Sequence, residues 1–349
     1  MEDIISVIVI AHDRKLYLKE AIESLQFQSL DPRYFEVVIV KNFELKETDE
    51  LAKKLGYQLI FTEAKSAYEK LLIGFRNSKG SIVTFLEDDD KYFKERLKEV
   101  YSFLKTHKNI CYYHNDHSVI SSESHFVIIN NKKRRSGNRF IIIHKEPDSN
   151  VSLKKIIKIK KMRGDFNISS IAVRRSLLDE AILKYGTSMF SGDRYLFLAA
   201  LGSDCDIVLD RESLTLYRVH TSNFSVSIYL EGDLRDFICK KLKFIDYQLS
   251  LVDQELSIFR DSFNEPRRHD YSYYGDYESL ILKMNHCILS SKVTGAKLFE
   301  NLILLIKFQK LYDVKFLAEF LLLTAMSFLS KRASRYLYIV LFLKIRPKV

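Results

Sequence analysis

Apolar and polar positions follow two alternating rhythms over the first 110 residues. Short apolar runs rich in β-branched residues, "ISVIVIA" (5–11), "FEVVIV" (35–40), "YQLIFT" (57–62) and "SIVTFL" (81–86), predict strands buried on both faces. Between them, residues 17–28, 47–56, 67–77 and 94–107 carry apolar side chains three and four apart, as Leu18, Ala21, Ile22 and Leu25 do, which predicts helices with one buried face. Gly56 ends the second of these. Strand and helix alternating at this spacing predict an α/β fold, a mostly parallel sheet with helices on both faces. Ligands in such folds bind beyond the carboxyl ends of the strands.

Past residue 108 the pattern is mixed. It predicts a strand at 110–116, a hairpin at 117–130, a strand at 167–173, a helix at 191–202 and a strand at 213–220. From about residue 231 it is almost wholly helical. The expected organisation is an α/β domain over 1–230 and a helical region over 231–349.

Charge adds a second feature. The chain has 349 residues, 47% of them hydrophobic, and a net charge of +10. Between residues 130 and 163 stand twelve Lys and Arg (132, 133, 134, 135, 139, 145, 154, 155, 158, 160, 161 and 163) against Glu146 and Asp148. That excess of ten equals the whole net charge. It predicts either a solvated face or an anionic partner: nucleotide, phospholipid headgroup, phosphorylated acceptor or nucleic acid. Phe140 is the only Phe, Tyr or Trp there, so stacking on single-stranded nucleic acid is poorly served and no nucleic acid is expected. Cys111, Cys205, Cys239 and Cys287 are far apart in sequence with no C-x-x-C, so neither zinc nor a disulfide framework is expected, and a reducing compartment is. The apolar run at the N-terminus lacks a preceding basic stretch and reads as a strand, not a signal peptide.

The fourth strand ends in "FLEDDD" (85–90), four successive carboxylates from Glu87 to Asp90. Like charges this close repel unless water or a cation sits among them. After the first strand comes "AHDRK" (11–15), with no G-x-G-x-x-G or Walker pattern, which argues against a dinucleotide-binding or P-loop enzyme. Two further segments complete the set: "FSGDRYLFLAALG", an acid opening a helix that ends in small residues, and "LYRVHTSNFS" at a strand end.

Together with "SVIVIAHDRKLYLKEAIESLQFQ", these motifs occur in the order, and with the character, of a GT-A fold glycosyltransferase of family 2, which residues 4–225 resemble. The resemblance implies an inverting enzyme that uses a nucleotide-diphosphate sugar and a divalent metal, Mn2+ or Mg2+. It implies Asp89 and His220 as metal ligands, with Glu87 and Asp90 available to share that duty. Asp193 is implied as catalytic base, and Ala11, Asp13, Arg14, Asn42 and Asp88 as donor-nucleotide contacts. Arg218 is either an ordinary sheet-edge charge or a contact to the diphosphate. Three departures stand out: Glu87 at the first acid of the D-x-D region, Lys41 and Asn42 where the family often has acids after the second strand, and Gly192 where an acid usually precedes the base. A non-catalytic sugar-nucleotide or lipid-binding relative is the alternative they leave open. "HNDH" (114–117) reads as acceptor-cleft lining or plain structure.

The tail (298–349) is unusually apolar. Its longest near-unbroken stretch, residues 320–329, is well short of the roughly 20 that a membrane span needs. Lys331, Arg332, Arg335, Lys344, Arg346 and Lys348 punctuate the stretches. Two outcomes stay open: a helix lying in the headgroups of an anionic leaflet, or a bundle packing on the first domain or on a second copy. The former predicts a cytoplasmic, peripheral protein on the inner face of the cell membrane with a glycan or lipid-linked acceptor; the latter allows a homo-oligomer.

Overall fold

The computed structural model describes residues 3–127, 138–144, 163–185, 192–220, 234–260, 265–290, 295–305, 314–330, 332–335 and 337. The chain divides into two compact units, 1–151 with 158–218, and 152–157 with 219–349. The boundary expected near residue 230 and most of the basic 130–163 segment lie outside the described residues.

In the first unit every predicted strand and helix up to residue 107 forms. Four parallel strands, β1 (Ile5–Ala11), β2 (Phe35–Lys41), β3 (Gln58–Phe61) and β4 (Ile82–Glu87), alternate with α1 (Leu18–Gln26), α2 (Lys46–Lys54) and α3 (Ala67–Arg76). All seven residues of β1 are buried, as expected of a central strand covered on both faces. Helix α3 starts in a capping box, with Ser66 and Glu69 bonding each other's backbone N–H, and Gly74 lets it lie close on β1: a Cβ there would sit 2.4 Å from Ile8 Cγ2.

Beyond β4 come β5 (Lys91–Tyr92), α4 (Arg96–Thr106), β6 (Ile110–Ile120), β7 (Phe140–Ile143), β8 (Ile171–Arg174), α5 (Arg175–Tyr185), α6 (Gly192–Gly202) and β9 (Asp206–Arg218). The sheet order is β3-β2-β1-β4-β8-β6-β9-β5, with β7 on β9. Strand β8 runs antiparallel to both β4 and β6, so the sheet is mixed in this half. The hairpin expected at 117–130 starts from the end of the eleven-residue β6, which turns back through 121–125 with an antiparallel bridge from Ile120 to Phe126 and Val127 N–H donating to Val119 O at 2.9 Å; 128–130 lie outside the described residues.

The pairing of β6 with β9 corrects the expectation for the cysteines. The parallel register sets Ile110 opposite Asp206, which brings Cys111 and Cys205, 94 residues apart, to a Cα separation of 5.6 Å, joined as a disulfide. Cys239 is an exposed thiol, and Cys287 is buried with its Sγ accepting from Asn301 Nδ2 at 3.4 Å.

The second unit is helical: α7 (Leu234–Arg260), α8 (Glu265–Leu289), α9 (Gly295–Leu305) and α10 (Val314–Leu329). It has its own core, in which Ile245, Met284, Ile288, Leu298, Leu302, Phe320 and Leu323 pack together. Among the described residues no helix is long and apolar enough to cross a membrane.

Candidate active site

Strand order reverses around β1: β2 and β3 lie to one side and β4 to the other. Connections after β1 and β4 therefore start from one shared carboxyl end, where sheets of this kind bind their ligands. The residues that follow β1, His12 to Arg14, meet the acid turn that follows β4. His12 N–H donates to Asp88 Oδ2 at 3.2 Å. Arg14 forks across two carboxylates, Nη2 to Asp88 Oδ1 at 2.5 Å and Nη1 to Asp89 Oδ2 at 2.6 Å. Asp88, Asp89 and Asp90 are all buried.

Burial is the first cause of the unusual acidity here. It pushes Asp88 up to about 7, against the pull of Arg14, and Asp90 up to about 8, with Asp89 adding to the rise. Glu87 is raised well above its ordinary value by burial and by Asp89 and Asp90. The carboxylate oxygens of Glu87, Asp89 and Asp90 lie within 4.8 Å of one another. Asp90 Oδ2 is buried and makes no hydrogen bond. Hard oxygen donors that converge, one of them unsatisfied, fit a divalent cation such as Mg2+ or Mn2+. His220 is buried at the start of the second unit, and its part as a ligand stays an implication of the resemblance.

The expected nucleotide contacts gather on one side. Ala11 is buried at the end of β1. Asp13, in a left-handed backbone conformation (φ 57°), donates its N–H to Asn42 Oδ1 at 3.1 Å and accepts from Asn42 Nδ2 at 2.5 Å. This exchange fixes which way the Asn42 amide points. Lys41 turns inward instead: it is buried on Asp49 and lies over the Phe61 and Phe43 rings at 5.0 and 5.2 Å.

Arg218 at the end of β9 is fully buried. Its Nε donates to the Asp89 carbonyl (2.8 Å), Nη1 to Ser121 O, Ser122 O and Ser124 Oγ, and Nη2 to Glu20 (3.0 Å). Its backbone N–H bonds Asp90 Oδ1 at 2.9 Å, and its guanidinium lies 4.3 Å from the Tyr17 ring centroid. Glu20 and Tyr17 carry no motif in sequence; only the helix spacing of α1, which turns Glu20 away from the buried face, hinted at a polar role.

Asp193 sits in the first turn of α6, half-buried, its Oδ1 accepting Arg194 N–H (2.8 Å) and its Oδ2 accepting Asn167 N–H (3.2 Å). Burial raises its pKa above the ordinary 3.8. A side chain at position 192 has no room, since its Cβ would stand 2.7 Å from Ile168 Cδ1 and 3.1 Å from Tyr68. That explains the missing acid: packing demands Gly192. Asn167 went unnoticed in the sequence. It adopts φ 65°, caps the 3₁₀ turn at Ser169, and opens a segment whose Ser169 Oγ accepts the Glu87 N–H at 3.1 Å. Three residues, 167–169, thus touch both Asp193 and the acid turn.

The "HNDH" segment is inside the sheet: His114 Nε2 contacts Phe166 O at 2.8 Å, Asn115 accepts from Arg96, and His117 packs on Phe166 and Tyr217. Of the basic segment, Arg139 pairs with Asp210 and Glu99, and Arg163 stacks 3.7 Å over Phe166.

Residues 6–176 match the glycosyl transferase family 2 model. An uncharacterized glycosyltransferase of Haemophilus influenzae is 27% identical over 232 residues, 64% of this chain and 71% of its own length. Poly(ribitol-phosphate) beta-N-acetylglucosaminyltransferase TarS of Staphylococcus aureus is 27% identical over 108 residues, 29% of this chain and 19% of TarS. The structure of the mannosyltransferase PcManGT from Pyrobaculum calidifontis, in complex with GDP-Man and Mn2+, shares the fold, with a TM-score of 0.54 at 12% identity over 97% of this chain and 85% of that one. The chain is a glycosyltransferase of GT-A fold, and its residues 6–176 form a glycosyl transferase family 2 domain.

Proposed function

We propose that this enzyme moves a sugar, with inversion, from a nucleotide-diphosphate sugar to an acceptor hydroxyl, with a divalent cation on Asp89 and its neighbours and Asp193 as base. The observation that carries this reading is the 167–169 segment, bonded at one end to Asp193 and at the other to the acid turn. A carboxylate that must accept a proton from the acceptor is thereby tied to the group that holds the donor. When bound, the cation offsets the charge that grows on the leaving diphosphate. Asp193, raised by burial, is a stronger proton acceptor than an ordinary carboxylate once ionised. The Mn2+ and GDP-Man in the PcManGT complex support this donor class.

A thermal-shift panel of UDP- and GDP-sugars, each with and without Mn2+, tests the reading. A ligand that binds only the folded chain raises Tm. At least one nucleotide sugar should stabilise the protein, and more so with Mn2+; a flat plate overturns the donor assignment.

The second unit supports a lipid-surface location, and with it a lipid-linked glycan acceptor. Helix α10 buries Phe320, Leu323, Thr324 and Ser327 and exposes Ala318, Leu321, Leu322, Ala325, Phe328 and Leu329 along one stripe. Its outward face is thus more apolar than its inward one, the reverse of a soluble amphipathic helix. Lys331, Arg332 and Arg335 follow at once, and the chain is cationic overall, which suits an anionic leaflet. Vesicles containing phosphatidylglycerol should carry the protein into the pellet at low salt. Protein that stays in the supernatant, at twice the monomer mass, would assign the stripe to a second copy instead.

A further inference from the structure

We propose that Arg14 is a resident counter-cation, which must be displaced from Asp89 before a divalent cation binds there and which then serves the diphosphate. The inference rests on the cation site proposed above. Its own basis is a competition visible in the geometry. Arg14 Nη1 lies 2.6 Å from Asp89 Oδ2, and Nη2 lies 2.5 Å from Asp88 Oδ1. Asp89 also belongs to the trio whose oxygens converge within 4.8 Å. The negative charge of Asp89 is shared between any metal ion and this guanidinium, and the two cations repel each other across it, so metal binding competes with the ion pair.

Three features suit Arg14 to leave. Its side chain is 33% exposed, whereas those of Asp88 and Asp89 are 2% and 6% exposed. It lies in the irregular segment between β1 and α1, next to Asp13 in the left-handed conformation, so no helix or strand must unravel for it to swing. Finally, a planar guanidinium that gives up two carboxylates finds equivalent acceptors on a diphosphate, which takes its fork in the same bidentate way. Metal alone must therefore bind against the Arg14 ion pair. With nucleoside diphosphate present, Arg14 has somewhere to go, and the two ligands help each other by the same factor in either order of addition.

Isothermal titration of the full chain with Mn2+ alone tests this. Arg14→Met should bind Mn2+ about ten-fold more tightly than wild type, and Arg14→Lys should fall between them. Titrated with UDP or GDP in the presence of Mn2+, Arg14→Met should bind the nucleotide about ten-fold more weakly than wild type. Should Arg14→Met fold poorly, Arg14→Gln removes the charge and keeps hydrogen-bonding capacity, with the same outcomes. Equal or weaker Mn2+ binding by the neutral variants, while Asp89→Asn abolishes it in wild type, overturns the role of Arg14 and leaves the cation site standing. Undiminished Mn2+ binding by Asp89→Asn overturns the cation site itself.

Discussion

Replacing Asp193 by Asn is expected to lower sugar transfer by about 10²–10⁴-fold, the usual contribution of a positioned general base, with nucleotide-sugar binding unchanged. The substitution is close to isosteric. An Asn Oδ1 can still accept one of the two backbone N–H groups, from Arg194 and Asn167, that hold the carboxylate, so folding should survive. What disappears is the ability to take a proton. The pH dependence gives an independent sign. A base works when deprotonated, and burial lifts the pKa of Asp193 above 3.8, so wild-type turnover should rise with pH through that lifted value. In Asp193→Asn the part of this limb that belongs to Asp193 should vanish, leaving only the part that belongs to the acid turn. Release of nucleoside diphosphate in the presence of acceptor measures both effects, and thermal shift confirms that donor still binds. Equal turnover by variant and wild type would remove Asp193 as the base.

Arg218→Met should cost about 3–5 kcal/mol of stability, the scale on which removing one member of a buried ion pair acts. At about 2–4 °C per kcal/mol for a unit of this size, the drop in Tm is easily measured. The loss has named parts. The carbonyls of Asp89, Ser121 and Ser122 lose their donor, Glu20 loses a charge partner, and a fully buried cation gives way to a side chain that satisfies none of them. Because Arg218 holds the Asp89 carbonyl, and its own N–H holds Asp90, the acid turn should loosen as well. A direct contact to the diphosphate predicts a different result: weaker nucleotide binding with Tm unchanged. Denaturation and nucleotide titration of the one variant distinguish the two roles.

Much of the site could be read along the chain, for a definable reason. A buried strand that surfaces in four carboxylates is visible because the apolar period and the charge cluster are both local, and β4 ends where the pattern places it. The same holds for Asp193 opening α6. Lys41 and Gly192 were also visible as departures, but their causes were not. Lys41 is tied to Asp49 inside the protein, and Gly192 is demanded by Ile168 and Tyr68. Asn167 escaped notice because its two jobs, a left-handed backbone and an N–H aimed at Asp193, depend on a turn that no short-range pattern announces.

The apolar tail shows the same divide. Its helices follow from spacing, but which face turns outward does not. Thr324 and Ser327 face inward and return their hydroxyls to the backbone of α10, at Phe320 O and Thr324 O, so apolar side chains are left to face outward.

By itself, then, the sequence determined the strands and helices of the first 107 residues, the acid turn, the helix bearing Asp193 and the family. These depend on periods of two and 3.6 and on neighbours a few residues apart. Only the tertiary structure decided the antiparallel insertion of β8, the joining of Cys111 to Cys205, the grip of Arg14 on Asp89 from 75 residues away, and the burial of Arg218 against Glu20 across 198. Partners that distant are chosen by strand order and register, which exist only once the sheet has closed.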